Sequence, residues 1–278
     1  MFYNNNTSKD LQSTFDLFAD YFSLVYNNND NFFIDNFNHL NPIMDIGVIS
    51  ISESDIYAAI ISLDNSFSTD PDNICPLLLK SCMKSLTIPL TLIFNYSLAS
   101  GHFLNRWKFS TITPIYKSGS KNCIENYRGI AKLLVIPKLL EAIVKSKIYE
   151  CIKNSISPFQ HGFISRRSTS TNLLPYVSKI INNIELGFQV DSIYTDFSNA
   201  FDRVVVAILI KKLEVLGFHS QALKWLNSFL IDRCQSVKIG NHSSRIFKAF
   251  SGVPQGSHLG PLLFVLLIND LPDFIEFG

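Results

Sequence analysis

Gln189-Val190-Asp191-Ser192-Ile193-Tyr194-Thr195-Asp196-Phe197-Ser198-Asn199-Ala200-Phe201-Asp202-Arg203-Val204 is the stretch whose reading decides the fold. Val190, Ser192 and Tyr194 alternate with Asp191, Ile193 and Thr195, a period of two that predicts a half-buried strand. The strand ends on Asp196, where the small turn residues Ser198, Asn199 and Ala200 begin. A carboxylate at a strand's end stands on a rigid support with its oxygens facing a cleft, as a Mg²⁺ ligand must. Taken alone, Asp at that position is also ordinary turn chemistry. A second run, Ser251-Gly252-Val253-Pro254-Gln255-Gly256-Ser257, gives the stretch its weight. Gly252 and Gly256 let a backbone approach a nucleotide closely, and Gln255 offers both a donor and an acceptor.

Around these two runs the composition is that of a folded chain. Of 278 residues, 47% are hydrophobic and 17% charged, enough apolar material for a large core and too little charge for a disordered polymer. The net charge of +1 conceals an asymmetry. Residues 1–100 carry three lysines against eleven acidic side chains, a net −8, which leaves +9 for the remainder. Contact with nucleic acid is therefore expected beyond residue 100. The five cysteines are scattered, odd in number and form no Cys-x-x-Cys pair, which argues against a disulfide framework or a zinc site. There is no signal-peptide pattern at the start, and the apolar run near 262–268 is far short of a membrane span. A soluble, intracellular protein without membrane contact is expected.

In chain order, the Asn-rich start and residues 27–41 read as loop. Between them Leu11, Phe15, Phe18, Phe22 and Val25 recur at helical spacing, an amphipathic helix that packs against the body. Ser52-Glu53-Ser54-Asp55 is a capping box opening a helix through Leu63. A turn-rich loop follows at 69–76, and a helix is predicted from Pro89 to Gly101, Pro at its start and Gly past its end. Residues 109–117 alternate as a strand ending on Lys117, with Asn126-Tyr127-Arg128-Gly129-Ile130 as its hairpin partner. A point-charge Lys and a forked Arg on adjacent strands form an anion clamp; the same pair also reads as solvated hairpin charges. A helix from about Pro137 leads to Gln160-His161-Gly162-Phe163 and to Arg166-Arg167-Ser168-Thr169, where two arginines among hydroxyls suit phosphates or simply water. Pro175 should kink or restart the next helix. Helices over 204–216 and 221–230 and a hairpin around Gly240-Asn241 complete the approach to Gly252.

Together these runs resemble the reverse transcriptases of non-LTR retrotransposons of the LINE or jockey type, from roughly residue 60 onward. The resemblance rests on Asp196 with Ala200-Phe201-Asp202, on 251–271, on Gln160-His161-Gly162-Phe163, and on Asn126-Tyr127-Arg128. Asp70 and Asn73 replace glycines of the family's loop, and Gly129 and Lys132 depart from its finger strand, where Pro follows the Arg. The implied fold is α+β, the fingers and partial palm of a right-hand polymerase, with an antiparallel sheet backed by helices. The implied divisions are an N-terminal helix and linker (1–50), a helical extension (51–105), fingers (106–188) and a partial palm (189–278).

The implied activity is RNA-directed DNA synthesis, with an RNA template, a DNA primer, deoxynucleoside triphosphates and two Mg²⁺ ions. By resemblance Asp196 is the catalytic carboxylate and, with the carbonyl of Phe197, a metal ligand. Lys117, Arg128, Phe201, Gln255 and Gly256 match nucleotide-binding positions, and Gln160, Gly162, Arg166 and Arg167 template and primer positions. Asp202 reads as structural. The family's next motif, a hairpin carrying paired aspartates, and its thumb are expected beyond Gly278, with an endonuclease ahead of residue 1. The chain is thus expected to be a fragment, inactive by itself. A nucleic-acid-binding remnant is the alternative function, and intron-type or telomerase-like polymerases are the alternative family.

Overall fold

A computed structural model describes residues 1–4, 6–26, 37 and 41–274. The chain opens on a small hairpin of β1 (Phe2–Tyr3) and β2 (Asn6–Thr7), where the Asn-rich composition reads as loop. The loop expected over 27–41 falls outside the described residues, apart from Phe37 and Asn41. Helix α1 (Leu11–Ser23) starts at Asp10, whose carboxylate accepts the Ser13 N–H at 2.7 Å. Its apolar stripe, Phe15, Phe18, Ala19 and Phe22, is buried with Ile112, Ile124, Val237 and Phe247. The predicted amphipathic helix is present, and its partner is a sheet.

Helix α2 (Glu53–Ile61) carries the capping box read from the sequence, Ser52 and Asp55 bonding each other's backbone N–H. The loop before α3 (Pro76–Ser81) turns on the two residues that replace family glycines. Asn73 takes φ +61°, a geometry Asn tolerates. Asp70 is buried, and its carboxylate accepts N–H bonds from Asp72, Ile74 and Val135 at 2.8–2.9 Å. It thereby ties the loop to Val135.

Helix α4 (Met83–Ser100) contains Pro89 instead of beginning there. Pro89 cannot donate to the carbonyl one turn back. The preceding turn nevertheless packs Met83 and Leu86 against the main core. Gly101 ends α4 at φ +68°.

Strands β3 (Phe109–Tyr116) and β4 (Tyr127–Leu133) form the predicted hairpin, in register from Tyr116↔Tyr127 to Ser110↔Leu133. Helix α5 (Val135–Ile152) follows. Helix α6 (Thr169–Glu185) continues through Pro175 without a restart. None of its residues is buried, so water can take up the carbonyl that Pro175 leaves without a donor.

The largest correction concerns residues 190–195, which join no strand. Ile193 is 92% and Tyr194 80% exposed, and the Tyr176 hydroxyl of α6 shares hydrogen bonds with the hydroxyls of Ser192 and Tyr194. Alternation supplies the side-chain pattern of a strand, but a strand also needs a neighbour for its N–H and C=O groups. Among the described residues none pairs with it.

Beyond it lie α7 (Val206–Leu216), α8 (Ser220–Leu230), β5 (Arg233–Ile239), β6 (His242–Ser243), β7 (Phe247–Ala249) and α9 (Leu259–Ile268). The sheet runs β4-β3-β5-β6, with β7 also on β5. Its pairs are antiparallel except β3 with β5, which is parallel from Phe109↔Cys234 to Ile112↔Val237. This junction binds the strands expected as fingers to the C-terminal region. The main core crosses all the expected divisions, from Ile46 to Leu266, around the rings of Phe94, Phe103, Trp225 and Phe229.

Two charges are buried where α5, β5 and α9 meet. Glu141 is 1% exposed and accepts the His258 N–H at 3.0 Å, at the N-terminus of α9. Arg233 is buried, donates to the Phe229 carbonyl at 3.0 Å and lies over that ring. Burial raises the Glu141 carboxyl to about 7, and the Arg233 charge offsets only part of that rise. A folded-state value above the ordinary 4.5 means that the native state holds the proton longer than the unfolded chain. Its contribution is therefore complete below the ordinary value and is lost as pH rises through about 7. Denaturant titrations between those limits should show the wild type losing stability with rising pH, while Glu141→Gln removes that component of the slope.

Candidate functional site

The site is built on two turns that meet. After the segment ending at Asp196, Asn199 takes φ +53° and the chain turns through Phe201 and Asp202. The 251–256 turn docks on it through its backbone. Gly252 N–H donates to Val204 O at 2.7 Å, Val253 N–H to Phe201 O at 2.8 Å, and Ser251 Oγ to Asp202 O at 2.6 Å. Gly252 has φ +92°, and a β-carbon there would lie 2.7 Å from Phe201 O and 2.8 Å from Asp202 O. Glycine is needed both for the dihedral and for the space.

Side chains complete the contact. The Gln255 amide nitrogen donates to both Asp202 carboxylate oxygens, at 3.0 and 2.8 Å, across 53 residues of chain. Burial pushes the Asp202 carboxyl up, and the Gln255 amide pulls it part of the way back. Because Gln255 gives its nitrogen to Asp202, the orientation of its amide is fixed.

These groups border a cleft of about 310 Å³ between the β3–β4 hairpin and the two turns. Lys117, just past β3, and Arg128, on β4 opposite Ile115, stand exposed on its hairpin side. The Lys117 N–H closes the hairpin on Asn126 O at 2.8 Å. Asn199, Asp202, Gln235 and Gln255 form its polar side, and Ile112, Gly129 and Ala131 its sheet side. Gly256, at φ +76°, follows directly, and a β-carbon there would lie 3.3 Å from Ala131 O. The structure thus brings Lys117, Arg128 and Gln255 together from three separate segments, with Gly256 beside them. An anionic group between the two cations, with a polar ring reaching the amides, fits this arrangement.

Other expected positions stand elsewhere. Phe201 does not line the cleft; its ring packs on Phe264 at 5.1 Å and Phe163 at 5.6 Å. Arg167 is turned inward, its guanidinium donating to the carbonyls of Ser157 and Gln160, so it organises its own loop. Gln160 likewise donates to Gly162 O at 3.0 Å. Arg166, at φ +64°, is exposed. Asp196 and Phe197 are exposed on the segment without a ladder. Among the described residues no three of His, Cys, Asp or Glu form a metal-holding group. These donors therefore do not assemble a site for two Mg²⁺ ions.

Asp202, Gln235 and the aromatic residues Tyr21 and Phe22 of α1 also line the cleft, and no local pattern in the sequence marks them for it. Asp202 was visible as the end of its motif, but nothing in its spacing announced the bond to Gln255. Among the described residues no helix is long and apolar enough to cross a membrane.

Residues 115–276 match the family model for reverse transcriptase (RNA-dependent DNA polymerase), a span that holds nearly every group described above. The chain belongs to the reverse transcriptase family. It is 32% identical, over 82% of its length, to the probable RNA-directed DNA polymerase from transposon BS of Drosophila melanogaster. It is also 32% identical, over 66% of its length, to the polymerase from mobile element jockey of the same fly, and 29% over 82% to that from transposon X-element. These alignments cover 26%, 20% and 25% of the relatives, so the chain spans about a quarter of their length. Reverse transcriptases generally work with divalent metal ions, and a polymerase family implies a template, a primer and nucleotides.

In this chain the docking of the two turns should be acutely sensitive at Gly252. Gly252→Ala must adopt a left-handed dihedral and push two carbonyls aside, a loss on the order of 2 kcal/mol or more. Equilibrium unfolding measures it; a change within a few tenths of a kcal/mol would contradict the described contact.

Proposed function

We propose that this chain is the nucleotide-holding portion of an RNA-directed DNA polymerase of a non-LTR mobile element. The observation that carries the reading is the convergence of Lys117, Arg128 and the Gln255–Asp202 pair on one cleft within the matched family span. In this reading a deoxynucleoside triphosphate enters with its phosphates between Lys117 and Arg128. Two cations of different shape suit it, Lys as a mobile point charge and Arg as a planar fork. Gln255, its amide already fixed by Asp202, supports the sugar or base without reorganising. Positioning of this kind is most of what a phosphoryl-transfer site contributes.

RNA template and DNA primer are held through phosphates by the basic region beyond residue 100. Arg166 is the candidate from the 160–167 loop, with Arg167, Gln160 and Gly162 shaping that loop. Such binding should weaken steeply with salt. Asp196 offers one carboxylate and Phe197 one carbonyl oxygen, and two oxygens do not hold two metal ions. What these residues supply is recognition and positioning of the nucleotide. The same observation favours a second reading, a domain that binds nucleotide and nucleic acid without joining them.

Nucleotide titration of the full chain tests the first part. Lys117→Ala with Arg128→Ala should weaken deoxynucleoside triphosphate binding tenfold or more, about 1.4 kcal/mol for each decade. Unchanged affinity would place the nucleotide elsewhere. Primer extension on an RNA template by a chain extended through the paired-aspartate hairpin and thumb separates the two readings: synthesis that disappears in Asp196→Asn supports a polymerase, and none from the extended chain supports the binding domain.

A further inference from the structure

Helix α1 lies outside the matched span of 115–276, yet it forms one side of the cleft. Tyr21 and Phe22 at its end and Tyr26 just beyond face the groups already described. The helix is fastened at several points. Asp20 pairs with Arg245, Asp16 accepts the Arg245 N–H at 2.9 Å, and the Phe18 ring meets Tyr127 edge-on at 5.1 Å. Phe22 closes over Gly129, where a β-carbon would lie 2.6 Å from Ile112 Cγ2 and 3.4 Å from the Phe22 ring. One of the two finger-strand positions that depart from the family pattern, Gly129, is thus a position against which α1 sits.

Tyr26 donates its hydroxyl to Gln235 Oε1 at 2.8 Å. Burial pushes the phenol well above its ordinary range, so it remains a donor and keeps the Gln235 oxygen turned toward itself. With α1 seated, the cleft still measures about 310 Å³, within the ordinary range for small-molecule sites. The helix therefore borders the space without filling it. On the same cleft as Lys117 and Arg128 it offers aromatic side chains and a fixed polar pair, the chemistry that recognises a nucleobase or sugar.

We propose that the α1 segment is a wall of the nucleotide cleft, with Tyr26 contacting the nucleoside part of an incoming deoxynucleoside triphosphate. The inference rests on the cleft being the nucleotide site, as proposed above. It divides the ligand: Lys117 and Arg128 take the phosphates, and Tyr26 takes the nucleoside.

Calorimetric titration of the full chain with dATP and, separately, with inorganic tripolyphosphate tests that division. Tyr26→Ala should weaken dATP about tenfold and leave tripolyphosphate unchanged, whereas Lys117→Ala should weaken both. Tyr26→Phe, which keeps the ring and removes only the bond to Gln235, should fall between the wild type and Tyr26→Ala on dATP. Unchanged or tighter dATP binding by Tyr26→Ala overturns the proposal, the latter making α1 an obstruction. Equal loss of both ligands in Tyr26→Ala also overturns it, because a collapsed cleft moves both. If Lys117→Ala is silent on both ligands, the nucleotide reading of the cleft fails, and this inference with it. If only the Tyr26 variants are silent, this inference fails alone.

Discussion

The close approach of the 251–256 turn to the 201–204 backbone is the constraint on which the candidate site depends. Two backbone bonds, from Gly252 and Val253, fix the distance between segments about fifty residues apart. Only a residue without a side chain fits at Gly252, since a β-carbon would be driven into two carbonyl oxygens. Once the backbones are in contact, Gln255 reaches both oxygens of Asp202, and a buried carboxylate gains a fixed partner in place of water. The polar side of the cleft follows from this single docking.

The surrounding architecture holds each half of that contact to a rigid body. Helix α9, which follows the 251–256 turn, begins against the buried Glu141 of α5 and ends near Asp270, paired with the buried Lys212 of α7. Buried ion pairs add little net stability, because desolvation offsets most of their attraction. Such a pair is costly to break one partner at a time, however, so Lys212 and Asp270 together specify where the end of α9 sits. On the other side, the parallel pairing of β3 with β5 sets the Lys117–Arg128 hairpin at a fixed height above the turns. Cations and amides thus belong to one sheet-and-helix body, and their spacing does not depend on loop conformation alone.

Much of this was legible in the sequence where local chemistry decides the outcome. The capping box at Ser52, the β3–β4 alternation and Gly217 at the end of α7 each carry their own signal. What failed depended on partners distant in sequence. The alternation at 190–195 is genuine, but alternation cannot reveal whether a neighbouring strand exists. Pro89 looked like a helix start because the core contacts of Met83 and Leu86 are invisible locally. Arg166 and Arg167 are indistinguishable as letters, yet one is exposed and the other is spent on the carbonyls of Ser157 and Gln160. The amphipathic character of α1 was plain, whereas the face it would meet, and hence its place beside the cleft, was not.

The cleft bounded by Lys117, Arg128 and Gln255 is proposed to receive the incoming nucleotide. Hydrogen–deuterium exchange of the full chain, with and without saturating deoxynucleoside triphosphate, addresses it without any substitution. The account predicts slowed exchange in the β3–β4 hairpin from 115 to 131 and in the 251–256 turn, with the 157–168 loop unaffected. Protection confined to that loop or to α6, with none in the hairpin or the turn, would contradict it.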